Sequence, residues 1–255
     1  MLDDSLRETS NIDEKLCYKF TRPLEFGKIV ARPNRFIMHV EKDGNIFVCH
    51  CPSTGKIGNV IFSDVPCLLS KSLDPRRKTA YTVEAIALNN FWIGINQNAV
   101  NRYVEHFFRS GLLENIAKNG HKILREQKIG DSKLDFKIEN TYLEVKMPLQ
   151  FLAFNEGDRP SGMKCVSSHE RFVRHITELK NRLQEHENAI LLSCFVYDAP
   201  IFTPPERSER NKMIFDIVQQ SLKAGVRIWQ INLGIDPYGI KLLRYFDITD
   251  YLFKN

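Results

Sequence analysis

Residues 133–147 read KLDFKIENTYLEVKM. Apolar and polar residues alternate on both sides of Glu139-Asn140, the pattern of two strands joined by a two-residue turn. Counted outward from that turn, Ile138 faces Thr141, Lys137 faces Tyr142, Phe136 faces Leu143, and Asp135 faces Glu144. Leu134, Phe136 and Ile138, with Leu143, Val145 and Met147, make one apolar face, which is a core. Asp135, Glu144 and Lys146 share the other. Like charges directly opposite each other destabilise a sheet by roughly a few tenths of a kcal/mol. A fold that places two carboxylates there has a use for a cation between them. The competing reading of the hairpin by itself is a solvated strand face, because Asp followed nine residues later by Glu-x-Lys also arises by chance.

The chemistry open to such a face is phosphodiester cleavage. That reaction needs an activated water, an in-line approach and neutralisation of phosphate charge, all of which carboxylate-bound Mg²⁺ or Mn²⁺ supplies. Asp135 and Glu144 would be the metal ligands, with the Val145 carbonyl between them as a further oxygen. Lys146 would orient the attacking water and offset phosphate charge. Glu126, on the preceding strand, is a candidate third carboxylate. Arg171 and His175, one helical turn apart, share a face and would hold the phosphate or the leaving oxygen. Each also has an ordinary reading: Glu126 as an ion-paired strand residue, Arg171 and His175 as a solvated helix face.

The chain has 255 residues, 43% of them hydrophobic and 26% charged, as in a soluble globular protein of one large or two ordinary domains. It has no apolar run of membrane-spanning length, and its first residues lack a secretion signal's apolar stretch. A cytoplasmic protein with no membrane partner is expected. Six irregularly spaced cysteines suggest reduced thiols. Cys49 and Cys51 flank His50, but no second pair follows at zinc spacing. Trp92 and Trp229 read as core residues before base-stacking ones. Charge is uneven: residues 1–14 hold one Arg against five acids, whereas 15–83 hold twelve Lys/Arg against five acids. A basic module of that kind suits a polyanion.

Three regions follow: an acidic flexible N-terminus over 1–15, a small β module over 16–83, and an α/β domain over 84–255. The β module shows short alternating runs at Lys28–Val30, Phe36–Val40, Ile46–His50, Val60–Phe62 and Cys67–Ser70. Turn signals separate them at Pro33-Asn34, Asp43-Gly44, Pro52–Gly55 and Asp74-Pro75. Five strands at this spacing are the scale of an OB-type barrel. Beyond it come a hairpin across Asn89-Asn90, a helix over Asn98–Ser110 with Gly111 as its stop, and strands at His121–Lys128, Lys133–Ile138 and Thr141–Lys146. A polar loop over Asn155–Met163 leads to a capping box at Ser167–Glu170 and a helix to about His186. A buried strand at Ala189–Tyr197, a helix over Glu209–Lys223 and a strand over Val226–Leu233 complete the pattern. The order from Asn98 on is α-β-β-β-α-β with acids on the second and third strands. That is the core topology of the PD-(D/E)XK, or restriction-endonuclease-like, fold. The class is therefore α+β or α/β, an OB-like barrel followed by a mixed-sheet nuclease-like domain.

Several segments together resemble the sugar fermentation stimulation protein A (SfsA) family, from about Phe20 to Leu233. They are Phe20–Leu24 with Gly27, Arg32 through Phe36, and His50–Gly55, similar to the family's H-C-P-N-T-G with Ser53 for Asn. Others are Asp74–Lys78 through Glu84, Trp92–Asn96 followed by Asn101, Arg125-Glu126, Gly130, Ser132–Phe136 and Glu144–Lys146. The resemblance implies an OB-like domain, a nuclease-like domain, nonspecific DNA binding and a role in regulating sugar metabolism. It implies a site of Glu126, Asp135, Glu144 and Lys146, with Arg171 and His175 on the helix. The chain departs from the family pattern at Lys133, in place of Arg, at Met147-Pro148-Leu149, and at Phe172, in place of Gly.

Two functions are expected from this reading. One is a Mg²⁺- or Mn²⁺-dependent nuclease acting on DNA or RNA. The alternative is a nonspecific DNA-binding regulator of sugar metabolism without catalytic activity. Candidate nucleic-acid contacts are Arg22, Arg32, Arg35, Phe36, His50, Arg76, Arg77, Lys78 and Lys133. No protein partner is inferable from the sequence.

Overall fold

The computed structural model describes residues 16–53, 55–118, 122–129, 132–154, 169–183, 187–204, 207–209 and 211–254. Six strands form the first sheet: β2 (Glu25–Asn34), β3 (Ile37–Lys42), β4 (Asn45–His50), β5 (Val65–Lys71), β6 (Tyr81–Leu88) and β7 (Phe91–Gly94). β2 pairs antiparallel with both β3 and β5, and β5 with β6. A parallel pairing of Cys49 with Tyr81 and His50 with Thr82 closes the ring. The result is an OB-like five-stranded barrel with β7 appended to β6. Its turns are those that the sequence marks. Asp43 and Gly44 carry φ of 52° and 74°, and Asn89 and Asn90 carry 49° and 64°. Asp, Asn and Gly tolerate that left-handed region, which a two-residue hairpin turn requires. Ile29, Met38, Val40, Cys49, Cys67, Val83 and Ile86 fill the barrel. Fully burying one such side chain contributes roughly 1.5–3 kcal/mol.

The second sheet has seven strands in the order β1-β13-β12-β11-β10-β9-β8. They are β1 (Cys17–Lys19), β8 (Ile123–Ile129), β9 (Ser132–Ile138), β10 (Thr141–Lys146), β11 (Asn188–Phe195), β12 (Arg227–Asp236) and β13 (Gly239–Asp247). β10, β11 and β12 run parallel; the other pairings are antiparallel. Four helices accompany the sheet among the described residues: α1 (Val100–Arg109), α2 (His169–Leu183), α3 (Lys212–Lys223) and α4 (Thr249–Lys254). One face of the sheet carries Phe136, Leu143, Leu192 and Ile231, which pack with α1 in a core continuous with the barrel's. The other carries Tyr142, Leu191 and Ile228 against α2, α3 and α4. α1 ends where Gly111 takes φ +74°, and the Leu112 amide reaches back to the Phe107 carbonyl at 3.1 Å, a closure that glycine makes cheap.

Three sequence expectations change. Val60–Phe62 is not a strand: Ile61 is 83% exposed, and the Gly58 amide just before it is bonded to the Leu149 carbonyl instead. The fifth barrel strand is β6, so the boundary expected between 83 and 84 falls inside a barrel strand. β1, expected with the barrel, pairs with β13 in the other sheet. Strand pairing between distant segments decides both, and local pattern does not report it. The expected N-terminal tail, the Asn155–Met163 loop, Ser167 and Ser168 of the capping box, and the end of its helix at His186 lie outside the described residues.

Candidate functional site

The hairpin register is as read: Ile138 pairs with Thr141, Lys137 with Tyr142, and Phe136 with Leu143. There the ladder stops. Instead of a backbone pair between Asp135 and Glu144, the Asp135 Oδ2 accepts the Val145 amide at 2.8 Å. Its Oδ1 accepts the Asn101 side-chain amide, from the first turn of α1, at 2.7 Å. Leu134, expected beside Phe136, packs in the helix-side cluster. The chain is irregular at this point, since β8 and β9 pair at Arg125–Phe136 and Gln127–Leu134 but not between.

Glu144 is 1% exposed, which is rare for a carboxylate. Its Oε1 accepts hydrogen bonds from Lys146 Nζ and from His175 Nδ1, which projects from α2 and is itself buried. Lys146 Nζ lies 3.3 Å from His175 Nδ1. Burial pushes the Glu144 carboxyl up, but the His175 hydrogen bond and the Lys146 charge outweigh it and hold the carboxyl below its ordinary value. Asp135 goes the other way. Burial, and then repulsion from Glu144, raise its carboxyl despite the Val145 and Asn101 donors. Two acids whose environments push them apart are a common mark of a working site.

A divalent cation fits this pair. Glu144 Oε2 is buried and has no hydrogen-bond partner. An anionic oxygen left so is costly, and a cation satisfies it. Asp135 keeps spare lone pairs on both oxygens after its two donors. Asp135 and Glu144 would hold the metal, which when bound supplies Lewis acidity and an activated water. Lys146 and His175 set donor groups next to the carboxylates.

Glu126 does not complete the set. It has φ of +51°, its side chain is 69% exposed, and it meets Lys133 at 3.5 Å. Among the described residues no three His, Cys, Asp or Glu side chains come together as metal ligands. Arg171 lies in the first turn of α2, but its side chain is outside the described residues. Asn101 is the contact that sequence reasoning missed. It lies 34 residues from Asp135, and its only sequence signal is its place after Trp92–Asn96 in the family resemblance.

Apart from Lys133, which lies on β9 of the second sheet beside Glu126, the candidate nucleic-acid contacts lie on or next to the barrel and are uneven. Arg35 and Phe36 form the exposed tip of the β2–β3 hairpin, with the guanidinium 4.7 Å over the ring, and Phe36 is 44% exposed. Arg32 is committed inward, donating to the carbonyls of Arg35 at 3.2 Å and Gly55 at 3.0 Å. Arg76 is clamped by Asp74 at 2.9 and 3.0 Å, and Arg77 donates to Thr82 at 3.2 Å. His50 is half-buried, and burial and the nearby Arg77 lower it below its ordinary value. Arg22 and Lys78 are exposed. Arg32, Asn34, Arg35, Gly55 and Lys56 line one open basic concavity at this rim. Phe20, at the entry to the barrel, packs against Tyr18 and Tyr103. Trp92 and Trp229 are partly buried against the core. The five described cysteines are free, and burial pushes the thiols of Cys49 and Cys67 up to about 11 and 12, as suits inert core groups. No described helix is long and apolar enough to cross a membrane.

Comparison with known proteins agrees with this architecture. Residues 30–95 match the family model "SfsA N-terminal OB domain", and residues 98–239 match "Sugar fermentation stimulation protein RE domain". The sugar fermentation stimulation protein homolog of Synechococcus sp. (strain JA-2-3B'a(2-13)) is 31% identical over 91% of this chain and 95% of its own. That of Synechococcus sp. (strain JA-3-3Ab) is 32% identical over 89% of this chain and 93% of its own. The solved structure of Pyrococcus furiosus SfsA in complex with Ca²⁺ shares the fold, with TM-score 0.73 over 90% of this chain and 96% of that one at 20% identity. The chain therefore belongs to the sugar fermentation stimulation protein (SfsA) family.

Proposed function

We propose that the protein is a nucleic-acid-binding phosphodiesterase that uses Mg²⁺ or Mn²⁺. The observation that carries this reading is Glu144, a buried carboxylate with one oxygen bonded to Lys146 and His175 and the other unsatisfied, beside a second, half-buried acid, Asp135. A second carboxylate beside that unsatisfied oxygen is what a metal site would use. The Pyrococcus relative was solved with Ca²⁺ bound, a cation that takes the same oxygen ligands. The substrate is DNA or RNA, held through its phosphates at the barrel rim by Arg35 and its neighbours, with Phe36 offering a ring to a base.

In the test, plasmid, single-stranded DNA and RNA are incubated with the protein in Mg²⁺ or Mn²⁺, and in EDTA. Metal-dependent cutting of at least one substrate, slowed about 10²–10⁴-fold by Lys146→Ala, supports the reading. No cutting of any substrate, or a Lys146→Ala variant as fast as wild type, contradicts it. One observation favours a second reading, a DNA-binding regulator that does not cut: only two carboxylates converge among the described residues. Under it the wild type binds DNA steeply salt-dependently, cuts nothing, and loses no binding with Glu144→Gln.

A further inference from the structure

We infer that Asn101 is a positioning residue for Asp135 in the metal site, and that the connector carrying it, Asn96–Asn101, makes the barrel a structural part of that site. The inference rests on the metal-dependent reading above. Asp135 and Glu144 repel one another, and both are desolvated. A carboxylate held by one donor can still turn about its last side-chain torsion, which has a broad, shallow profile. The Val145 amide holds Oδ2 alone; the Asn101 amide adds a second point on Oδ1 and fixes the plane. One lone pair on each oxygen then faces a settled direction.

The connector is anchored on both sides. In the barrel, Glu84 is buried and accepts from Asn96 Nδ2 at 2.7 Å, with Ser70 on its other oxygen. The Asn96 Oδ1 in turn accepts the Asn98 amide at 3.1 Å, shaping the entry to α1. The Gln97 amide donates to the Pro52 carbonyl of the barrel loop at 3.2 Å. Its side-chain Nε2 donates to the Met147 carbonyl at 3.0 Å, one residue beyond Lys146. The Gly58 amide, from the same barrel loop, reaches the Leu149 carbonyl at 2.9 Å. The barrel thus holds the exit of the metal-site strand from one side, and through Asn101 it holds the Asp135 carboxylate from the other.

The test is calorimetric titration of the full chain with Mn²⁺, using wild type, Asn101→Leu and Asn101→Ser, with melting curves recorded with and without the metal. Loss of a group that orients a metal ligand costs about 10–100-fold in affinity. Asn101→Leu should bind Mn²⁺ about that much more weakly and lose most of the metal-induced rise in Tm, while its metal-free melting shows that it folds. Asn101→Ser, which keeps a short donor, should recover part of the affinity. If Asn101→Leu is unfolded, the serine variant decides alone. Wild-type affinity in whichever variant folds overturns the inference and leaves the metal site intact. A wild type that gives no heat with Mn²⁺ and no rise in Tm overturns the metal reading itself.

Discussion

The barrel rim and the sheet site carry the same kinds of side chain in opposite surroundings. At the rim, Arg76 is 88% exposed and its partner Asp74 lies two residues away. In the sheet, Glu144 meets a half-buried lysine on its own strand and a buried histidine on a helix 31 residues on, and is itself shielded from water. Exposed pairs are worth little and are screened by salt. Buried ones are costly unless fully matched. The rim is therefore suited to weak, additive, salt-sensitive grip on a polyanion. The sheet site is suited to one exacting task in one place, and its unmatched Glu144 oxygen is what the proposed cation would satisfy.

The two regions should respond to substitution on different scales. Lys146→Ala should slow metal-dependent cutting about 10²–10⁴-fold, whereas Arg35→Ala should leave the rate at saturating substrate near wild type. Gel-based cleavage at saturating DNA compares them directly. A large rate loss from Arg35→Ala would break the division of labour.

Next in size are two phenylalanines. Phe136 is fully buried beneath the site, and Phe136→Ala should cost about 3–5 kcal/mol in denaturant unfolding. Phe36→Ala, at the barrel tip, should fall within about 0.5 kcal/mol of wild type. Between them lies Gly94, where an added Cβ would stand 2.4 Å from Val196, so Gly94→Ala should cost about 1–3 kcal/mol in the same assay.

Smaller again is the electrostatic grip. Arg35→Ala should lower single-strand affinity and flatten log Kd against log salt by about one unit of slope, as one lost phosphate contact does. The smallest effect is acid sensitivity. Burial raises the Asp247 carboxyl, but the hydroxyl and amide of Thr249, with Arg227, lower it further, so the net direction is down. Its contribution is thus present above the unfolded value of about 4 and fades as pH falls through the lower folded value. Asp247→Asn should lose stability at pH 7 and show less change on acidification below pH 4, read by melting curves across that range.

The hairpin was legible because everything that defines it is local. The alternation of Phe136–Ile138 and Thr141–Leu143, and the polar pair between them, set the register with no outside help, and only at Leu134 does the alternation fail. The contact of Glu144 with Lys146 was legible for the same reason, since the two are two apart on one strand. Asn101 carries no such mark, because an asparagine on a helix reads as solvated until the fold brings it to Asp135. The closing pair β4–β6 and the pairing of β1 with β13 join distant segments, and so the domain boundary was misplaced. Glu126 looked like a third ligand by strand position. Its left-handed backbone turns it out to Lys133, and a glutamate gives no warning of that conformation.

The most direct measurement of the central claim is the Mn²⁺ dependence of cutting by wild type and Glu144→Gln on an end-labelled single strand. Glutamine keeps the shape and removes the charge. The expected result is cutting that rises with Mn²⁺, stops in EDTA and is absent in Glu144→Gln, while strand binding at low salt is unchanged. Cutting that survives in EDTA, or in Glu144→Gln at the wild-type rate, would contradict the assignment of Asp135 and Glu144 as the metal site.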